Sequence, residues 1–142
     1  MKLMTLLVKW FRPQAGVHLL KTCVMKKILV VDDAHDIADS TALLLRLLGY
    51  ETTTAYDGRE AVSAASAQRP DVVLLDLNMP VFDGFQAAQE IRGLFAEIPP
   101  TIVALSAVAH LSNEDELREC GFDHFITKPA DVEQLVAIVE GA

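Results

Sequence analysis

From Lys26 onward, short and uniformly apolar runs alternate with stretches in which apolar residues recur every three or four positions. Runs of the first kind read as strands buried on both faces, and stretches of the second kind as amphipathic helices. Lys27 to Val31 (KILVV) predicts the first strand. Ile37, Thr41, Leu44, Leu45 and Leu48 then follow at helical spacing and predict a helix docked through that stripe, which Gly49 stops. Glu51 to Ala55 (ETTTA) is rich in β-branched residues and predicts a second strand near a sheet edge. Asp57-Gly58 marks a turn, and residues 59–68 predict a helix ended by Pro70.

Val72 to Asp76 (VVLLD) is the strongest buried-strand signal in the chain. Met79 to Gly84 (MPVFDG) reads as a loop from its proline and its Asp-Gly, and Phe85, Ala88, Ile91 and Leu94 give the next helical stripe. After Pro99 and Pro100, Thr101 to Leu105 (TIVAL) predicts a fourth strand. Residues 112–119 predict a helix, with Ser112 as N-cap and acids in its first turn. Asp123 to Thr127 (DHFIT) predicts a fifth strand, and Val132, Leu135, Val136 and Val139 a last helix. Five strands alternating with five helices predict an α/β fold around a parallel sheet. Right-handed crossovers lay helices on both of its faces. In such sheets the functional crevice lies at the carboxyl ends of the strands.

Composition narrows the classes. A length of 142 residues with 51% hydrophobic and 23% charged positions fits one folded domain. No run of about 18 apolar residues occurs, so no membrane span is expected. The two cysteines, Cys23 and Cys120, form no disulfide framework and suit a reducing, cytoplasmic setting. The net charge of −8 is unevenly placed: residues 1–24 carry Lys2, Lys9, Arg12 and Lys21 and no acid, leaving −12 on residues 25–142. A body so negative repels phosphate backbones, which argues against direct nucleic-acid binding.

Residues 1–24 are set apart from the domain expected over 25–142. Leu3, Met4, Leu6, Leu7, Val8, Trp10 and Phe11 crowd together ahead of Pro13. Lys9 interrupts the apolar core and no small-residue cleavage site follows cleanly, which disfavours a secretory signal. A short basic amphipathic helix over residues 1–12 on a membrane or partner is an alternative. The favoured expectation is an upstream extension with no role of its own, with Met25 as the natural start.

The predicted strand ends bring chemistry together. Asp32 and Asp33 end the first strand, Asp76 the third and Ser106 the fourth, and Lys128 follows the fifth. Any one of these aspartates alone reads as a helix cap. Three carboxylates on one rim resist ionising together unless a cation joins them. Oxygen donors without a His/Cys cluster favour a hard ion, Mg²⁺ or Mn²⁺. His18, His35, His110 and His124 show no metal-ligand spacing and read as surface or loop residues.

The segments VVDD (Val30–Asp33), LLDLNMPVFDG (Leu74–Gly84), LSA (Leu105–Ala107) and FITKP (Phe125–Pro129) resemble the response-regulator receiver domain of two-component signalling. The resemblance runs from about Lys26 to the C-terminus. It implies a doubly wound sheet in the order 2-1-3-4-5, with Asp76 as phosphoacceptor. It further implies Mg²⁺ held by Asp33, Asp76 and the Asn78 backbone carbonyl, with Asp32 acting mainly through a metal-bound water. Lys128 and Ser106 would each take a phosphoryl oxygen, and the Lys128-Pro129 bond would be cis. Ala107 is small, as the family prefers. Ser106 and Phe125 would form the switch, passing the change to the surface of the fourth helix, fifth strand and fifth helix. A plain core role for Phe125 is the alternative.

The resemblance also implies a histidine kinase or histidine phosphotransfer protein as donor, and a downstream protein that it does not name. With nothing beyond the fifth helix in this sequence, a stand-alone regulator is expected, a phosphorelay intermediate or phosphate sink being alternatives. The chain is expected to catalyse only its own phosphorylation and dephosphorylation. Phosphatases or phosphotransferases that use an aspartyl phosphate place a second acid two residues after the nucleophile, where this chain has Asn78. A flavin or nucleotide module would need a Gly- and hydroxyl-rich cradle, where this chain has Asp32-Asp33-Ala34-His35-Asp36.

Overall fold

The computed structural model describes residues 25–79, 84–107 and 114–142. Strands and helices alternate through them: β1 (Lys27–Val31), α1 (His35–Leu47), β2 (Glu51–Ala55), α2 (Gly58–Gln68), β3 (Val72–Asp76), α3 (Gly84–Leu94), β4 (Thr101–Ser106), α4 (Glu114–Glu119), β5 (His124–Thr127) and α5 (Val132–Gly141). The strands form one parallel sheet in the order β2-β1-β3-β4-β5. This is the expected doubly wound α/β fold. β3 lies at its centre and is buried at every position, which is why VVLLD carries no polar alternation. β2 lies at an edge, as its threonines suggest.

Side chains alternate between two cores, following the period of two along each strand. Ile28, Val30, Val72, Leu74, Val103, Leu105 and Ile126 pack with Ala38, Ala42 and Leu45 of α1 and with Leu135 and Val139 of α5. Leu29, Val31, Val73, Leu75, Ile102 and Ala104 pack with alanines of α2 and α3, Ile91 of α3 and Leu117 of α4. The helices thus cover both faces of the sheet, as predicted.

Local signals set the element ends. The Asp57 carboxylate accepts from the Glu60 N–H at 2.8 Å, and Glu60 reaches back to the Tyr56 N–H at 2.8 Å, a reciprocal cap on the first turn of α2. That helix starts at Gly58, one residue earlier than predicted. β4 extends one residue further, to Ser106, and β5 starts one residue later, at His124. Ser112, the expected N-cap of α4, lies outside the described residues.

The stripe expected on α1 is corrected in part: Leu45 is buried and Leu48 packs against the core, as expected, but Ile37 and Leu44 do not. Ala38, Ala42 and Leu45 face the sheet, whereas Ile37 is 50% exposed and Leu44 36%. Alanines let the helix backbone approach closely, and the Thr52 hydroxyl of β2 donates to the Ala42 carbonyl at 3.2 Å. Larger aliphatics at Ala38 and Ala42 would hold the helix away. In α3, Leu94 is likewise exposed, while Ala87, Ala88 and Ile91 are buried.

Candidate functional site

Register places the candidate residues on one rim. Val31 pairs with Leu75, so Asp32 lies level with Asp76 at the ends of β1 and β3. Asp76 pairs with Leu105, and Ser106 follows directly. Ser106 pairs with Thr127, which leaves Lys128 as the first residue beyond β5. The Lys128 N–H donates to the Ser106 carbonyl at 2.8 Å, continuing the ladder for one more step. The rim therefore follows from a parallel register in which each apolar run ends at its polar residue.

Asp32 and Asp76 are only 2% and 3% exposed, whereas Asp33 is open to solvent. Ligand oxygens of these three carboxylates lie within 4.8 Å of one another. One ammonium faces them: Lys128 Nζ donates to Asp32 Oδ2 at 2.6 Å and lies 3.4 Å from Asp76 Oδ2. The Asn78 N–H donates to Asp76 Oδ1 at 3.0 Å, and the Ala34 N–H to Asp32 Oδ1 at 2.9 Å. The Lys128–Pro129 bond is cis.

The electrostatics follow from this crowding. Burial pushes the Asp76 carboxyl above its ordinary range; the Asn78 N–H and the Lys128 charge oppose the shift, and the Asp32 charge adds to it. Burial alone would lower the Lys128 pKa, but the hydrogen bond to Asp32 and the charges of Asp76 and Asp32 outweigh it and leave the ammonium strengthened. Three carboxylates share one fixed cation, so the site has room in its charge balance for a second. An all-oxygen cluster open on the Asp33 side fits a hard divalent ion such as Mg²⁺ or Mn²⁺.

The remaining candidates lie nearby. Ser106 is fully buried at the end of β4. Phe125 is half-buried on β5, opposite Ala104 of β4, and packs against the core beneath α2, α3 and α4. It also lines a cleft of about 500 Å³, together with Leu117 and Phe122 on one side and Gln134 and Ile138 of α5 on the other. His35, read from sequence as a surface or loop residue, is exposed at the first position of α1 and stacks on Tyr56 with ring centroids 3.8 Å apart. His124 is exposed on β5, and His18 and His110 lie outside the described residues.

One positional requirement was not legible from residue chemistry. A Cβ on Gly84 would stand 2.6 Å from the Asp76 carbonyl oxygen and 3.1 Å from Leu77 Cα. The start of α3 thus presses against the backbone that carries the central carboxylate, and only glycine fits there. The signal available in sequence was the glycine closing MPVFDG, read only as a loop marker.

This geometry meets its class in the comparisons. The family model for the response regulator receiver domain matches residues 28–140, and the chain belongs to that family. It is similar to the transcriptional regulatory protein PrrA of Mycobacterium tuberculosis, 39% identical over 114 residues, or 80% of this chain and 48% of PrrA. The chain thus spans about half the length of the curated relatives it matches. Among solved structures it is similar to the chemotaxis protein CheY4 of Vibrio cholerae, with a TM-score of 0.74 and 32% identity, covering 83% of this chain and 98% of that one. It is also similar to the response regulator protein TrrA of Thermotoga maritima in complex with Mg²⁺-BeF, with a TM-score of 0.72 and 32% identity, covering 82% and 98%. Among the described residues no helix is long and apolar enough to cross a membrane.

Proposed function

We propose that this receiver accepts a phosphoryl group on Asp76 from a phosphohistidine of a sensor kinase or histidine phosphotransfer protein, and that the modification alters which protein it binds. The observation that carries the reading is the buried Asp76 carboxylate, with Lys128 3.4 Å away and two further aspartates beside it. An Asp76 oxygen forms the new bond to phosphorus as the P–N bond to the donor imidazole breaks, and the imidazole departs with that electron pair. Such transfers depend on positioning and charge neutralisation more than on covalent assistance. The Asn78 N–H fixes one oxygen of the nucleophile. Lys128 exchanges part of its contact with Asp32 for a phosphoryl oxygen, as a compact charge on a flexible stem can.

Asp33, Asp76 and the Asn78 backbone carbonyl would hold Mg²⁺ or Mn²⁺, with Asp32 acting through a water. When bound, the ion supplies the positive charge that three carboxylates and an incoming phosphoryl group require. The complex of TrrA with Mg²⁺-BeF supports Mg²⁺ as the ion. Ser106 then turns toward the phosphoryl group, and Phe125, half-buried beside the cleft between α4 and α5, moves into the space released. The α4-β5-α5 surface is where a downstream protein reads that change. The likeness to CheY4, matched over 98% of its chain, supports a receiver acting without an attached output domain. In this reading the chain turns over no separate substrate.

The test is transfer from a phosphohistidine donor, or from acetyl phosphate, with Mg²⁺ present. The wild-type chain gains phosphate that hydroxylamine releases, and Asp76→Asn gains none. Labelling of Asp76→Asn at the wild-type level overturns the assignment.

A further inference from the structure

The start of α1 is held by an aromatic ring from outside the helix. Its N-cap residue, Ala34, gives the first turn no side-chain cap. Tyr56, one residue past the end of β2, holds that turn instead. Its ring stacks on His35, the first residue of α1, with centroids 3.8 Å apart and planes 14° from parallel. Its hydroxyl donates to Asp39 Oδ1 at 2.6 Å. His35 and Asp39 share one flank of the helix, and Tyr56 spans both. The ring is itself fixed. The Tyr56 N–H donates to Glu60 Oε2 of α2 at 2.8 Å, and the Thr54 hydroxyl donates to the Tyr56 hydroxyl oxygen at 3.3 Å. The Tyr56 side chain also packs against the core that α1 covers.

This hold bears on the acidic rim because the loop before α1 is short. Only Asp32, Asp33 and Ala34 join β1 to the helix. Asp32 is anchored twice: its N–H donates to the Ala55 carbonyl at 3.1 Å, and its Oδ1 accepts from the Ala34 N–H at 2.9 Å. Asp33 is exposed, and among the described residues its carboxylate accepts no hydrogen bond. Its direction is therefore set by the backbone on either side, the end of β1 and the start of α1.

We propose that His35 and Tyr56 are positioning residues for the cation site: their stack fixes where α1 starts and so aims the Asp33 carboxylate. The inference rests on the reading of Asp33 as a ligand of Mg²⁺ or Mn²⁺. A ligand left loose must be ordered when the ion arrives, and the lost entropy subtracts from affinity. Groups behind the ligands set much of a metal site's affinity for this reason.

The probe is Mn²⁺, whose free fraction is read by electron paramagnetic resonance with no phosphodonor present. The full wild-type chain is expected to bind Mn²⁺ that Mg²⁺ displaces, and Asp33→Ala to lose that binding. His35→Ala and Tyr56→Leu are each expected to weaken it about tenfold, the low end of what such partners supply. His35→Phe keeps a flat ring in the stack and should recover affinity to within about twofold of wild type. Thr52→Val removes the contact with the Ala42 carbonyl in the middle of α1 and leaves the helix start alone, so it should bind Mn²⁺ like wild type. Thermal melting checks that every variant is folded at the assay temperature.

Wild-type affinity in His35→Ala or Tyr56→Leu, while Asp33→Ala fails to bind, overturns the inference and leaves the cation site standing. Equal weakening by Thr52→Val shows that α1 as a whole sets the site, and overturns it. Equal loss in His35→Phe and His35→Ala makes the imidazole nitrogen itself the active group, and overturns it as well. A wild-type chain that binds no Mn²⁺ overturns the cation reading and this inference with it.

Discussion

The two edges of the sheet treat charge in opposite ways. At the amino edge Asp71, Asp123 and Glu140 each have donors fitted to them. Asp71 accepts from the Lys27 N–H at 2.8 Å. One oxygen of Asp123 takes both the Ile102 N–H, at 2.9 Å, and the Arg92 guanidinium, at 2.6 Å. Glu140 accepts from the Tyr50 hydroxyl. At the carboxyl edge three carboxylates crowd around one ammonium, two of them buried. The first arrangement holds strand starts to neighbouring elements. The second crowds a buried carboxylate against two others, a tension that an added cation or a proton relieves. Carboxylates with their own donors and carboxylates that share one ammonium are thus separated by about the length of a strand.

The sharpest way to test this division sets Asp76→Asn against Asp123→Ala. The first abolishes phosphoryl uptake and leaves the fold intact. The second strips Arg92 and the Ile102 N–H of their shared acceptor and is expected to cost about 1–3 kcal/mol of stability, read by denaturant melts, while labelling persists. Loss of labelling in Asp123→Ala protein that is still folded would erase the distinction between the edges.

Gly84→Ala is next in size. Its new methyl meets a backbone atom at 2.6 Å rather than the end of a flexible side chain. A cost of about 1–3 kcal/mol is expected, together with slower phosphorylation as the Asp76 backbone yields. Unchanged labelling kinetics would mean that the α3 contact does not position the carboxylate.

Smaller, and opposite in sign, is the effect of Asp76→Asn on the metal-free protein. The folded Asp76 carboxyl is raised above its ordinary 3.8, chiefly by burial. Its contribution to stability is complete at acid pH and is lost as pH rises through the raised value. At neutral pH in EDTA, Asp76→Asn is therefore expected to melt higher than wild type, and the gap to close toward pH 4. Mg²⁺ at a hundred times its Kd should raise the wild type by about 2.7 kcal/mol, and Asp33→Ala should remove most of that gain. A gap that is constant with pH would remove burial of this charge as its cause.

Tyr50→Phe probes the amino edge most gently. Burial first, and then the Glu140 hydrogen bond and charge, raise the Tyr50 pKa above its ordinary 10.0. Its stabilisation is full below pH 10 and falls as pH rises beyond it. The variant should lose about 1 kcal/mol at neutral pH and lack that alkaline decline, both visible in melts at pH 8 and pH 11.

The rim was legible in sequence because the apolar runs of β1, β3 and β4 each end at or beside a polar residue, so finding the strand end also finds the rim. Which side of α1 faces inward was not. Reading by size favoured Ile37 and Leu44, yet close helix–sheet contact selects Ala38 and Ala42, whose small size carries little weight in a hydrophobic pattern. The glycine at the head of α3 escaped for a related reason: it acts through an atom it lacks. Partners at the amino edge, such as Asp123 with Arg92, depend on elements 31 residues apart meeting in space, and no local pattern encodes them.

The Lys26 ammonium joins the two ends of the described domain, reaching the Val139 carbonyl at 2.7 Å and the Ala142 carbonyl at 2.5 Å. Polypeptide entering at β1 and polypeptide leaving α5 therefore share one port, on the side away from the acidic rim. A load pulled between those two points would act first on a cluster of lysine contacts and would spare the sheet. A cargo fused at either point would hang below the domain, clear of the mouth through which a phosphodonor approaches.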